Sequence, residues 1–174
     1  IYAERHSLFY VETALERDYY GRLLEAVNAL GHQDARDGRA LIGAEIDLLN
    51  LACLARLLKY YEIPPEDFSK FTVPGPSPLS KQLAQPAMTA ESFSAIYARF
   101  TDAHLGTETQ TVAPLESIAL LEDALRETMA ALARRALAGY PFSITSVLAL
   151  YILTRVELRN LRSVFAAKNV GLNE

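Results

Sequence analysis

Ile46-Asp47-Leu48-Leu49-Asn50-Leu51 returns near the C-terminus as Val156-Glu157-Leu158-Arg159-Asn160-Leu161. The shared order is apolar, acid, Leu, variable, Asn, Leu, and the two copies stand 110 residues apart. Upstream, Leu15-Glu16-Arg17-Asp18 has a looser counterpart in Leu121-Glu122-Asp123-Ala124, at an offset of 106. Solenoid repeats recur every ~20–50 residues, so an echo this distant points to duplication of a small domain. Chance similarity of two helical segments is the competing explanation, because a six-residue pattern is short.

Working outward, apolar residues keep helical spacing almost everywhere. Leu8, Val11, Leu15, Tyr19, Leu23, Val27 and Leu30 form the stripe of a first long helix, ended near Gly31. A second helix is expected from Asp37 to Tyr61, apolar almost all round and stopped by Pro64-Pro65. A helix apolar on every side belongs at the centre of its bundle. Pro74-Gly75-Pro76-Ser77-Pro78 must be a loop, since proline lacks the donor and fixes φ. A shorter helix follows from Thr89, with Phe93, Ile96, Tyr97 and Phe100 on one face. Residues 106–114 are polar and Thr-rich and mark the boundary between two lobes, 1–110 and 111–174. Ile118 to Ala136 and Ser143 to Lys168 give the last two helices, with Ser143 as N-cap. No strand pattern is present, so the expected fold is all-α, built of antiparallel helix-bundle lobes.

A chain of 174 residues with 51% hydrophobic and 22% charged residues has the composition of an ordinary globular protein. Cys53 is the only cysteine, which rules out an intrachain disulfide and fits a reducing compartment. The longest apolar run, Val147 to Leu153, is far short of the roughly 18 residues of a membrane span. The start at Ile1 and the stop just after Gly171 read as a piece of a longer chain.

The residues offer little chemistry. His6, His32 and His104 belong to neither a Glu-x-x-His pair nor a His-Glu-x-x-His motif, so no metal site is expected. No Gly-rich phosphate loop and no G-x-S-x-G elbow occurs. Cys53 lies in the most apolar helix, where cysteine acts as a small hydrophobe. Glu12 and Glu16 are one turn apart on a surface-type helix and read as a solvated face. No catalytic residue and no cofactor is expected.

Two polar features remain. Asp47 with Asn50, and Glu157 with Asn160, each share a helix face at a spacing of three. Neither acid has a basic residue three or four positions away, so burial would require a partner from another helix. Arg17 or Arg22 could serve Asp47, and Arg126 could serve Glu157. On this reading the pairs pin helix register. The second feature is charge asymmetry. Six Lys/Arg against one acid between Arg134 and Lys168 leave that segment at +5 and the rest at −9. Arg155, Arg159 and Arg162 form one stripe and, with Arg134 and Arg135, a candidate surface for an acidic partner. Stacking aromatics are not interleaved with it, which argues against nucleic acid.

Leu15-Glu16-Arg17-Asp18-Tyr19-Tyr20, the Ile46–Leu51 element, Pro141-Phe142-Ser143-Ile144 and Arg155-Val156-Glu157-Leu158-Arg159-Asn160-Leu161-Arg162 together resemble one family. It is the central-stalk C subunit of V-type and A-type rotary ATPases, known as the d subunit in eukaryotes. The resemblance spans most of the chain, and Glu-x-x-Asn-Leu-Arg is its most specific element. It implies a non-enzymatic, funnel-like helical protein of three lobes, of which this chain covers the second and third. It also implies a cytoplasmic position, peripheral to the membrane. The partners would be the rotor shaft subunits and the membrane proteolipid ring, in proton or sodium transport. Pro74-Gly75-Pro76-Ser77-Pro78 departs from the Pro-Gly-Gly usual in the family. A free-standing helical adaptor that binds peptides is the alternative.

Overall fold

The second helix organises the molecule, as its apolar circumference requires. The computed structural model describes residues 8–60, 65–83, 93–106, 115–169 and 171. Among these the chain is all-α. The helices are α1 (Leu8–Asn28), α2 (His32–Tyr60), α3 (Pro78–Leu83), α4 (Phe93–His104), α5 (Ile118–Leu137) and α6 (Ile144–Asn169), with a short 3-10 segment at Pro65–Lys70. Every other α-helix packs on α2.

Contact register sets the directions. Asp34 meets Ile144 and Glu45 meets Arg155, both 110 residues apart, so α2 and α6 run parallel without stagger. That is the offset at which the sequence motif returns. Arg56 meets Glu122, whereas Leu41 packs with Ala133, so α5 is antiparallel to α2. Three apolar clusters fill the spaces. One joins Leu51, Leu54 and Leu57 to Phe71, Ile96, Phe100, Leu121 and Leu125. A second joins Leu41 and Ala44 to Met129, Ala133, Ala149 and Ile152. The third sets Tyr20 and Val27 against Ile42, Ile46 and Val73. Two of these clusters join residues from before and after position 110, while the expected junction at 107–114 lies outside the described residues.

Helix ends follow from local chemistry. Ser117, extended at φ −141°, accepts the Leu120 amide on its Oγ and caps α5. Arg134 and Arg135 sit in the last turn of α5, where cations suit the helix dipole. Pro78 opens α3, the position where a missing amide costs nothing; the proline-rich loop therefore stops one residue earlier than its composition suggests. Helix α2 begins at His32 rather than Asp37. Its polar first turns are held because Ala35 is buried and Asp34 reaches another helix. The expected cap Ser143 instead donates its hydroxyl to the Tyr140 carbonyl, at 2.9 Å. Asp34 Oδ1 accepts the Ile144 amide at 3.1 Å and places a carboxylate at the start of α6. The expected start of α4 at Thr89 lies outside the described residues.

Leu121 is fully buried where α5 meets α2, and Leu120 beside it is half-exposed. Leu121→Ala should cost about 2–5 kcal/mol in urea unfolding through lost transfer energy and a residual cavity. Leu120→Ala should stay within about 0.5 kcal/mol.

Candidate functional site

Four polar clusters tie α2 to its neighbours, and the first is built from Asp47 and Asn50. Asp47 has no exposed surface. Its Oδ2 accepts from Ser77 Oγ at 2.5 Å and lies 2.8 Å from His104 Nε2, while Oδ1 accepts from Ser80. One turn on, Asn50 makes a two-way bridge with Val73, donating Nδ2 to its carbonyl at 2.8 Å and accepting its amide at 2.7 Å. One face of α2 thus clips down the loop 71–78 and the end of α4. The loop must approach closely: a Cβ at Gly75 would stand 2.2 Å from Ser80 Oγ and 2.9 Å from Ile46 Cγ2. Asp47 and Asn50, three apart on α2, thus have hydroxyl, imidazole and backbone partners. Neither arginine expected for Asp47 reaches it. Arg17 donates to the carbonyls of Ser69 and Lys70, and Arg22 pairs with Asp18 on the surface.

The second cluster centres on Glu45, also buried. Its Oε1 accepts from Tyr20 Oη at 3.0 Å and from Arg155 Nη1. Arg155 also lies over the Tyr151 ring, 5.6 Å from its centroid. Burial, with the Glu45 carboxylate, pushes the Tyr20 phenol well above its ordinary pKa. Hydrogen bonding to Tyr151, at 3.5 Å, and burial push the Tyr19 phenol up to about 12. Desolvation works against the Arg155 charge, but the Tyr20 hydroxyl and Glu45 outweigh it and keep the guanidinium protonated. In the third cluster Glu122 Oε1 accepts from Arg56 at 2.6 and 2.8 Å, and Oε2 faces Arg126 at 3.3 Å. The fourth is the Asp34–Ile144 contact.

The echo motif lies in a different setting on α6. Glu157 and Asn160 are exposed, and among the described residues neither has a side-chain hydrogen bond or ion pair. Arg126, offered as a partner for Glu157, pairs with Glu122 and Asp123 instead. The expected burial of Glu157 is thus corrected. The helix places position 157 away from the bundle, whereas Arg155, two residues earlier, turns inward. Arg134 and Arg135 are exposed at the end of α5. Arg159 and Arg162 are exposed without an ion pair among the described residues.

Between α1, α2, α5 and α6 lies an open groove of about 740 Å³. Its floor is apolar, from Leu48, Ala52, Cys53, Met129 and Ile152. Glu12 and Glu16 line one wall, Arg159 and Arg162 another. Desolvation and the neighbouring Glu12 raise the Glu16 carboxyl above its ordinary pKa, with Arg56 and Arg155 opposing. Burial pushes the Cys53 thiol up from 9.0 to about 12. The sequence did not single out Glu45 or Glu122. The counterpart of Glu122 in the looser echo was its one signal. Among the described residues no group of three or more metal-ligating side chains exists. The buried acids Glu45, Asp47 and Glu122 are each engaged by partners from other segments.

The described residues thus form a helical scaffold whose buried acids are paired across helices. The model of the family described as ATP synthase (C/AC39) subunit matches residues 1–174. The chain belongs to this family, whose members are structural stalk subunits of V/A-type ATPases, not catalytic themselves. No curated relative and no solved structure matches the chain. No helix among the described residues is long and apolar enough to cross a membrane.

Asp47→Ala should destabilise by about 3–5 kcal/mol, because it strands buried donors around a removed charge. Glu157→Ala should change stability by less than about 0.5 kcal/mol. Chemical denaturation of the two variants checks the contrast. For Cys53, the sign is set by the raised folded pKa. The neutral thiol is favoured by the fold, so this group's contribution is complete below pH 9 and is lost as pH climbs towards 12. The raised pKa leaves native Cys53 with far less thiolate near neutral pH than the unfolded chain has. Iodoacetamide at pH 8 should therefore spare native Cys53 and modify it readily in denaturant.

Proposed function

We propose that this chain is the second and third lobes of a central-stalk socket. It seats the rotor shaft and meets the proteolipid ring, carrying torque between them in proton- or sodium-linked ATP turnover. It acts at the cytoplasmic face, peripheral to the membrane. The observation that carries this reading is the family match along the whole chain. A torque-bearing part must not shear internally, and the bundle's buried acids each cross between helices, which supports the reading. So does a contact register of 110 residues equal to the motif offset, as expected if the two lobes, 1–110 and 111–174, arose by duplication. The solvated arginines Arg134, Arg135, Arg159 and Arg162 supply a positive surface for an acidic partner; Arg155 belongs to it only in part, being engaged by Glu45.

Affinity capture of the full chain should recover rotor shaft and ring subunits of an ATPase. Recovery of unrelated peptides alone would favour the free-standing adaptor and overturn the proposal. Reversing Arg134, Arg135, Arg159 and Arg162 to Glu should slow assembly by about tenfold at low salt, since rim charges act mainly on association rate. The effect should shrink as the Debye length falls from about 30 Å at 0.01 M to 10 Å at 0.1 M. Stopped-flow assembly rates at several salt concentrations check it; equal rates for variant and wild type at every concentration would remove this surface from the docking face.

A further inference from the structure

Helix α6 is apolar on two opposite faces: one is buried in the bundle, and the other stays about half exposed, touching the bundle only along its edge, where Tyr151 meets Tyr19 and Tyr151 and Leu158 line the groove. Ala149 and Ile152 point inward and are buried. On the far side, Val147, Tyr151, Thr154, Leu158, Leu161 and Phe165 follow one another at intervals of four, three, four, three and four. That alternation is the a/d seam of a helix that packs against another helix. All six are exposed, the five large ones by 48–65%. An outward face that needed only solubility would be polar. The seam covers 18 residue steps, about 27 Å at 1.5 Å per residue. It is too short for a free-standing coiled coil, which needs three or four heptads, and long enough to seat one helix whose own fold holds it in place.

The charges beside the seam say what that helix carries. Arg155 and Arg162 flank it on the groove side, with Arg159 just beyond. Arg155 is committed to Glu45, leaving Arg159 and Arg162 as charges with no ion pair among the described residues. The opposite flank holds Leu150, Glu157 and Val164, apolar but for one acid. We propose that the outer seam of α6 is the docking surface for one amphipathic helix of a partner chain. That helix has an apolar a/d seam of its own and acidic residues on the flank that meets Arg159 and Arg162. This inference deepens the stalk-protein reading and rests on it.

The test uses the full chain carrying Leu161→Cys. Cys53, part-buried on the floor of the groove, is replaced by Ser in the same chain, so a maleimide reports position 161 alone. In the assembled ATPase complex, labelling at position 161 should be about tenfold slower than in the free protein, as mass action requires once the seam is about nine-tenths occupied. A benzophenone maleimide at the same position should crosslink to a helix of another protein of the complex with four-three apolar spacing and acids on one flank. Arg159→Glu with Arg162→Glu should restore labelling within the complex several-fold, and Glu157→Lys should not. If the complex forms and position 161 labels as fast as in the free protein, the seam is not the docking surface, although stalk membership stands. Crosslinks confined to a second copy or to this same chain would overturn the named occupant. Failure to enter any ATPase complex would remove the stalk reading and this inference together.

Discussion

The buried carboxylate of Asp47 constrains the rest of the structure most. A carboxylate removed from water is costly unless hydrogen-bonded and paired, and Asp47 has no exposed surface. It is tolerated because Ser77, Ser80 and His104 converge on its two oxygens. Those partners come from the proline-rich loop, α3 and α4, so satisfying one charge fixes three pieces of chain against α2. Asn50 repeats the device one turn later through the backbone of Val73. Glu45 and Glu122 do the same for α1, α6 and α5. By contrast, an exposed pair such as Arg22–Asp18, with both side chains more than half exposed, contributes little.

Much of this was legible in the sequence. Helix α2 announced its central place by being apolar on all sides, and the Asp-x-x-Asn spacing put Asp47 and Asn50 on one of its faces. The partners were not legible. Electrostatic matching suggests arginines for Asp47, and the fold supplies hydroxyls and an imidazole from segments 30 to 57 residues away. Long-range partners of this kind leave no local spacing to read. Glu45 was hidden for the same reason: beside the Asp47 motif, a lone Glu gave no signal that Tyr20 and Arg155 would close on it. The similarity of Glu157 to Asp47 misled in the other direction, because the same six-residue pattern stands on the buried face of α2 and the exposed face of α6.

That difference in exposure has a functional meaning in a stalk protein. On our proposal, a motif kept in order but turned outward, beside a four-three apolar stripe and arginines without an ion pair among the described residues, makes α6 the helix through which the bundle meets other chains. Helix α2 makes the part stiff and α6 presents it.

The division of labour between the two parallel helices can be tested on the unmodified protein by native-state hydrogen exchange. Amides of α2 between Leu41 and Leu57 should exchange only through global unfolding, with the highest protection in the chain. Those of α6 beyond Leu158, which contribute no buried side chain, should open locally with much lower free energy. If α2 and the last turns of α6 exchange at the same opening free energy, or α2 opens first, then α2 is not the hub and the buried acids do not hold the fold together.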